Sequence, residues 1–227
     1  MKKALLFTLL LALSLPMLTN ARTPADIKAD LATILPTGKK ARFAYNKGGN
    51  FAAFPFYAWW TAIYVVDSDD GVVRRIYPPV YPAGNPDTAE HFHHICITAD
   101  GSRVMFRNHK RGTLGLINWD GSNYRSIDVR GKHCDYWRDP SNGSDWSLVE
   151  SGGMYRVNID APSTRVQLTS SGFGSSGFTL SDDGKMAVVN PNNVFGIQTI
   201  GGSFATSNHG GCWGNLGPGP NPKFNHN

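Results

Sequence analysis

The stretch ICITADGSRVMF, residues 95–106, contains two short apolar strands joined by a tight turn. Short apolar runs lie on both sides of Asp100 and Gly101, and an Asp-Gly pair between such runs is typical of a β-hairpin. A second hairpin of the same kind, FTLSDDGKMAVV, occupies residues 178–189. Both hairpins predict a chain built from short antiparallel strands.

A second hairpin follows each hairpin of this kind, so the chain repeats a unit of two hairpins, and four such units are present. The second hairpins are YVVDSDDGVVRRI (64–76), LGLINWDGSNYRSI (114–127), MYRVNIDAPSTRVQL (154–168) and VFGIQTIGGSFAT (194–206). The interval from Asp120 to Asp160 is 40 residues. The interval from Ile159 to Thr199 has the same length. Four antiparallel strands that recur at about this period are typical of the blade of a β-propeller.

The repeat therefore predicts an all-β fold, a β-propeller with four-stranded antiparallel blades, about four blades plus a partial fifth. The first hairpins of the four blades are predicted at 34–45, 95–106, 134–149 and 178–189. The propeller is predicted over residues 22–216, with blades at about 27–80, 93–129, 132–169 and 175–207, a partial blade from 209 and an irregular tail over 217–227. Residues 26–33 offer a short helix ahead of the strands.

The turns of these hairpins resemble those of TolB-type propellers, whose blades carry a Ser-Pro-Asp-Gly-Lys turn and then a second Asp-Gly turn. The matching turns lie at residues 98–101, 181–185, 69–71 and 120–121. The first and third blades depart from the pattern at 36–38 and 139–143. The resemblance covers most of residues 27–206 and implies a propeller fold, with docking to other envelope proteins as one role.

TolB-type propellers close with about six blades, more than this chain supplies. An unclosed propeller leaves the apolar faces and strand edges of its first and last blades exposed. We therefore expect the chain to be a truncated piece of a longer propeller. Closure as an unusual small ring, or assembly with another chain, are the alternatives.

The first 21 residues are typical of a Sec-type signal peptide, with two lysines, an apolar run over 4–13 and small residues before the exit. No later stretch reaches the ~18 apolar residues that a spanning helix needs. We predict a periplasmic or secreted mature chain without a membrane span. Loss of Lys2 and Lys3 lowers the 22 basic residues to 20 against 17 acidic ones, and their scatter does not predict nucleic-acid binding.

Histidines and cysteines recur just ahead of the innermost strand of successive blades, where the central channel of a propeller opens. They are His93, His94 and Cys96, then His133 and Cys134, then His209 and Cys212. Imidazole and thiolate groups that converge there could hold one divalent transition metal, on His94, His133 and His209. These residues can equally pack in the structure or bind ligand, and Cys96 and Cys134 are candidates for a disulfide.

Aromatic residues crowd an insertion in the first blade, NKGGNFAAFPFYAWWT (46–61). Tyr57, Trp59 and Trp60 could stack on sugar rings, or cap an apolar edge of the propeller. The loop between the second and third strands of a blade opens on the same side as the loop that enters the blade. The aromatic residues and the histidines are therefore predicted to share one face.

Carboxylates in the third blade are the remaining candidates for chemistry. Asp139 and Asp145 flank a turn, where aspartate bonds to local amides, and with Asp135 they could also serve as a catalytic acid and base. The sequence contains no phosphate loop and no nucleophile elbow.

We predict an exported binding module that takes a polysaccharide fragment or an envelope protein at its channel-mouth face, with no cofactor. His93, His94 and His133 would bond to ligand hydroxyls, beside the stacked aromatic residues. The alternative is a metal-assisted polysaccharide lyase or hydrolase that uses the channel-mouth histidines.

Overall fold

The structure, a computed structural model, describes residues 22–48, 61–78, 92–129, 134–169, 179–189, 194–201, 204–210, 214–216 and 224–226. These residues belong to two compact units. One comprises the chain up to Arg42 together with Val66–Arg74, and the other comprises Phe43–Val65 and the chain from Arg75 onwards. No helix in the described ranges is long and apolar enough to cross a membrane.

Helix α1, Pro24–Ile34, lies in the smaller unit and confirms the helix predicted over 26–33. A capping box starts it: the Asp26 amide donates to Thr23 Oγ1 (3.2 Å), and the Thr23 amide donates to the Asp26 carboxylate (2.9 Å). The turn at Gly71 lies against the first turn of α1, because a Cβ on that glycine would come within 2.0 Å of Pro24 O. Any other residue at position 71 would force these two segments apart.

The hairpin predicted over 34–45 is wrong in its first half. Helix α1 runs to Ile34, and the Lys39 amide then closes a turn by donating to Pro36 O (2.9 Å). The first strand begins only at Arg42. The capped helix extends into the segment that was assigned to the first strand. Pro36 and Gly38, which has φ 75°, then form a turn before β1.

Seventeen strands follow the helix among the described residues. They are β1 Arg42–Gly48, β2 Thr61–Asp67, β3 Arg74–Tyr77, β4 Phe92–Ile97, β5 Arg103–Asn108, β6 Thr113–Asn118, β7 Arg125–Asp128, β8 Cys134–Arg138, β9 Asp145–Glu150, β10 Met154–Asn158, β11 Arg165–Gln167, β12 Thr179–Leu180, β13 Met186–Val189, β14 Val194–Thr199, β15 Phe204–Gly210, β16 Gly214–Leu216 and β17 Phe224–His226.

These strands form consecutive sheets in chain order. Blade 1 is the three-stranded sheet β1-β2-β3; blades 2, 3 and 4 are the four-stranded sheets β4 to β7, β8 to β11 and β12 to β15; β16 pairs with β17. All pairs in blades 2 to 4 are antiparallel. The prediction of four-stranded antiparallel blades and a partial fifth is confirmed, except that the described part of blade 1 has three strands.

A strand lies in the segment predicted to be an irregular tail, 217–227. Strand β17 pairs antiparallel with β16, with Asn225 opposite Asn215. Glycine and proline dominate the residues between the two strands. Because three-residue strands depend on their partner for stability, local alternation gives no signal for them.

The apolar core of the larger unit lies between successive blades. On β5, Val104 and Phe106 face blade 1, whereas Met105 faces blade 3. This alternation of side chains along a strand is why each central strand reads as a continuous apolar run. A third cluster, built around Trp137 and Leu148, joins blades 3 and 4.

The first turns of blades 2 and 4 are closed by the same bonds. Thr98 Oγ1 and the Ser102 amide donate to Asp100 Oδ1 (2.7 and 3.0 Å). In blade 4, Ser181 Oγ and the amide two residues after Asp183 donate to Asp183 Oδ1 (2.7 and 3.1 Å). These donors lower the pKa of both aspartates, and the following glycines have φ of 72° and 71°. The hairpin turns predicted from Asp-Gly are confirmed.

Candidate functional site

The inner strands of blades 2 and 3 meet at the site. β4 and β8 lie beside each other, while the last strands of these blades, β7 and β11, are mostly exposed. In blades 2 and 3 the first strand is therefore the innermost, as the propeller prediction requires. His93, His94 and Cys96 lie on β4, and Asp135 lies on β8.

A β-bulge interrupts β4 at the histidines. His93 lies opposite Arg107 and Cys96 lies opposite Met105, so two residues of β4 face one residue of β5. His94 adopts φ 52°, in the left-handed region that few residues other than glycine occupy. Neighbouring residues on a regular strand point to opposite faces, and the bulge removes that separation. The rings of His93 and His94 consequently lie 4.4 Å apart.

A third histidine joins the two from outside the predicted set. His109 lies in the turn between β5 and β6, and its ring is 5.3 Å from the ring of His93. The turn is exposed, and Lys110 and Arg111 follow in it. We call His93, His94 and His109 the histidine cluster. The sequence prediction did not include His109. The turn between the second and third strands of a blade lies at the same end as the blade entrance, so the strand pattern could have placed His109 there.

The aromatic insertion starts from the same end of the molecule. Asn46, near the end of β1, donates from Nδ2 to Phe92 O at the start of β4 (2.8 Å). The chain leaves β1 at Gly48, so it departs beside the histidine cluster. The aromatic side chains predicted to bind sugar, Tyr57, Trp59 and Trp60, lie outside the described residues.

The predicted convergence of histidines from three blades stays a prediction. His133 lies outside the described residues, and His209 is described in its backbone alone, on β15. Within the described ranges no three His, Cys, Asp or Glu side chains are grouped so that they could hold a metal ion. Of the three residues in the predicted metal set, His94 is the one whose side chain the structure describes.

A thiol and a carboxyl face each other between the two inner strands. The Sγ atom of Cys96 lies 3.6 Å from Asp135 Oδ1, so the thiol can donate to the carboxyl. The Tyr136 amide donates to the same oxygen (2.8 Å). The disulfide predicted between Cys96 and Cys134 stays a prediction, because the structure describes Cys134 in its backbone alone. Burial raises the pKa of the Asp135 carboxyl.

Replacing Asp135 with asparagine should stabilise the protein at neutral pH. A carboxyl whose pKa is raised by folding weakens the folded state when it ionises, and asparagine keeps an acceptor for the Tyr136 amide without the charge. We expect a gain of about 1 kcal/mol, or roughly 2–4 °C in Tm. Thermal unfolding of both proteins at neutral and acid pH checks this. The gain should shrink in acid, where the carboxyl of the natural protein is protonated; an equal gain at both pH values would contradict the explanation.

The opposite end of blades 2 and 3 holds a network of charged groups, which we call the charged seam. Arg103 on β5 donates to Asp145 on β9 (2.9 Å) and to Asp160 (2.5 Å). Tyr136 donates its hydroxyl proton to Asp145 Oδ1 (2.6 Å), and Arg125 pairs with Asp160 (2.8 Å). Burial, reinforced by the bond to Asp145, raises the pKa of Tyr136 to about 12. Every member thus has a partner, and the seam joins the two blades.

Two of the carboxylates considered for acid and base chemistry, Asp139 and Asp145, have hydrogen-bond partners of their own. Asp139 accepts from the Ser141 amide (2.9 Å) and from its hydroxyl (2.6 Å), as the turn interpretation predicted. Asp145 was interpreted in the same way, and that was wrong, because it binds Arg103 across the blade boundary and Tyr136 on the neighbouring strand of its own blade. A hydrogen bond to a residue in a neighbouring blade cannot be predicted from the residues next to it in the sequence. The geometry assigns both aspartates to structural roles.

Comparison with solved structures agrees with this architecture. The chain is similar to the nidogen/laminin complex with a TM-score of 0.51 and 11% identity, over 69% of this chain and 61% of that one. It is similar to a putative TolB from Agrobacterium tumefaciens with a TM-score of 0.51 and 17% identity, over 73% of this chain and 60% of that one. TolB from Acinetobacter baumannii gives a TM-score of 0.48 and 17% identity, over 77% and 42%.

Sequence comparison adds no family. No family model matches the chain, and no curated protein matches it by sequence. The chain spans about 60% of the length of the first two structures that it resembles. At such identities the likeness concerns the fold and not the site. The chain has a TolB-like β-propeller fold.

Proposed function

We propose that this chain is an exported carbohydrate-binding propeller module, acting in the periplasm or outside the cell, and that its ligand lies against the histidine cluster. The observation that carries the proposal is the bond from Asn46 to Phe92 O. This bond brings the strand that leads into the aromatic insertion to the same end as three imidazoles, two on β4 and one in the turn between β5 and β6.

The chemistry of this end suits a sugar. Each neutral imidazole offers one donor and one acceptor, which matches the hydroxyl groups of a polysaccharide. Lys110 and Arg111 extend the polar surface from the exposed β5–β6 turn. The aromatic side chains of the insertion, Tyr57, Trp59 and Trp60, would add flat ring faces on which the sugar rings can stack. His133 would complete the polar set.

Replacing His109 with alanine should weaken sugar binding by about fivefold, since a net hydrogen bond contributes about 1 kcal/mol. The purified mature protein is first screened on an array of bacterial and plant glycans, and the best ligand is then titrated by calorimetry. Replacing Trp59 and Trp60 together should remove binding. His109 is the better single test because its side chain is exposed, so its loss should leave the fold intact.

Lys185→Ala is the matched control. Lys185 is an exposed cation on a turn of blade 4 at the opposite end of its sheet, and its side chain is 79% exposed. Sugar binding that survives loss of both tryptophans and of His109 would overturn the proposal. An array without any ligand, joined to stable capture of an envelope protein, would favour docking instead.

The enzyme alternative has its own measurement. Elemental mass spectrometry of the protein, purified without chelator, is compared with a His94→Ala, His133→Ala double variant. Stoichiometric metal that disappears in the variant would favour a metal-assisted lyase or hydrolase over the binding module.

A further inference from the structure

We infer that two copies of this chain assemble head to tail, so that strand β16 of each copy completes blade 1 of the other. In the described part of the chain, β1 forms one edge of blade 1, and no strand pairs with its outer side. The assembly does not depend on the proposed sugar site.

Blade 1 lacks the strand that is innermost in blades 2 and 3. Strands β2 and β3 belong to the second hairpin of the repeat, over 64–76, as β6 and β7 do over 114–127. Strand β1 precedes that hairpin and therefore matches β5, the second strand of its blade. Ala44 on β1 packs toward blade 2, just as Met105 on β5 packs toward blade 3. The residues directly ahead of β1, where the repeat places the innermost strand, form helix α1 and a turn.

The exposure of β1 agrees with a missing neighbour. On β5 every residue from Val104 to Asn108 is buried, and on β9 in blade 3 every residue is buried. On β1 the side chains of Phe43, Ala44 and Tyr45 are half-buried. Among the described residues the edge of β1 is thus open, and an open edge is a template for pairing with another strand.

The last sheet of the chain carries the element that blade 1 lacks. Strand β16 lies against β12 and β13, as β8 lies against β4 and β5, so β16 holds the innermost position of a fifth blade. Its partner β17 has three residues, whereas β1 has seven. The described chain therefore has one blade without an innermost strand and one innermost strand without a full blade. Each copy can supply what the other lacks.

The sequences of β1 and β17 indicate that both fit the same place beside β16. KFNH over 223–226 aligns with RFAY over 42–45, and each has a basic residue followed by phenylalanine. Phe224 lies opposite Leu216 on β16. When β1 of the second copy replaces β17, the same register puts Phe43 opposite Leu216.

Burial of apolar side chains favours this exchange. Val104 and Phe106 on β5 are completely buried on the side that faces blade 1. Phe43 and Tyr45 hold the matching positions on β1 and are half-buried. Stacking of blade 4 of the second copy against blade 1 would remove them from water in the same way.

Two is the number of copies that closes a ring. With its blade 1 completed, each chain contributes four blades, and two chains give eight, the upper end of the usual range for propellers. Three chains would exceed that range. Head-to-tail contacts of this kind end in a closed ring when the rotation between copies completes a circle.

The first test is the mass of the mature protein in solution. Sedimentation over about a hundredfold range of concentration should show a reversible dimer. Asn215→Pro should abolish the dimer, because proline in β16 interrupts a strand ladder. Asn225→Pro is the matched control: Asn225 lies opposite Asn215 on β17, and loss of that strand frees β16 for β1. The dimer of this control should be at least as stable as that of the natural protein.

Thermal unfolding of both proline variants establishes that they are folded. A natural protein that stays monomeric at every concentration, a dimer that survives Asn215→Pro, or assembly into species larger than a dimer would each overturn the inference.

A disulfide cross-link tests the register and the choice between one chain and two. The register of β17 against β16 places Ala44 opposite Asn215, so an Ala44→Cys, Asn215→Cys double variant should oxidise to a covalent dimer on a non-reducing gel. Each single variant is a control, because it reports cross-links through the natural cysteines. A double variant that cross-links within one chain would instead assign β16 to blade 1 of its own chain, as a four-bladed ring, and would overturn the dimer.

Discussion

Replacing Asp145 with alanine should destabilise the protein by about 3 kcal/mol, the largest effect we expect from loss of a single polar group. The side chain of Asp145 is 8% exposed, and that of Arg103 is 18% exposed. Removal of the carboxylate leaves the Arg103 guanidinium half-paired and the Tyr136 hydroxyl without its acceptor. Both donors stay inside the structure, where water cannot replace the lost bonds fully.

Chemical denaturation of the variant at several salt concentrations measures this. The loss should persist in high salt, because a pair this deep is weakly screened. Asp120→Ala is the matched control, because Asp120 is an aspartate that accepts from Ser122 in its own turn and is exposed to solvent. Its loss should cost clearly less than the loss of Asp145, because water can replace the bonds of an exposed carboxylate. A cost for Asp145→Ala no greater than that for Asp120→Ala would show that the charged seam does not hold the blades together.

Replacing Gly115 with alanine should cost about 1–3 kcal/mol. Gly115 on β6 lies opposite Phe106 on β5, and the ring of Phe106 covers the place where a side chain would start. A Cβ on Gly115 would lie 2.5 Å from two atoms of that ring. Phe106 is completely buried and contacts Phe92 and Tyr77 with ring centroids 5.2 and 5.3 Å apart. The ring therefore has no space into which it can withdraw.

The explanation is checked by a double-variant cycle. In a Phe106→Leu background the smaller side chain leaves room for the new methyl group, so Gly115→Ala should cost clearly less than it does in the natural protein. Urea unfolding of the four proteins gives the coupling free energy. Strictly additive costs would mean that the loss comes from the strand backbone and not from the contact with the ring.

The propeller architecture was largely predictable because its signals are local. Asp-Gly at 100–101 and at 183–184 marks turns that the chain closes with its own side chains, and the short strand-forming runs on either side predict the strands. The helix at Pro24–Ile34 is likewise indicated by its capping residues Thr23 and Asp26. Each of these features depends on residues within about five positions of one another.

The features that sequence reasoning missed depend on distant partners. His109 lies 16 residues after His93, and the bulge at His94 becomes visible only in the register of β4 against β5. The bond from Arg103 to Asp160 spans 57 residues. Strand β17 exists through its pairing with β16. Such contacts follow from the stacking of blades, which alternation within one hairpin does not specify.

The self-closed turns of blades 2 and 4 bear on the order in which the chain folds. Thr98 Oγ1 accepts from the amide of Arg103 (3.1 Å), and Ser181 Oγ accepts from the amide of Met186 (2.9 Å). Donor and acceptor lie five residues apart, so closing these loops takes well under a microsecond and needs no neighbouring blade. A chain that emerges gradually, from a ribosome or through a pore, can thus set the register of each inner hairpin before its stacking partner has appeared. Assembly then proceeds blade by blade, with low contact order at every step.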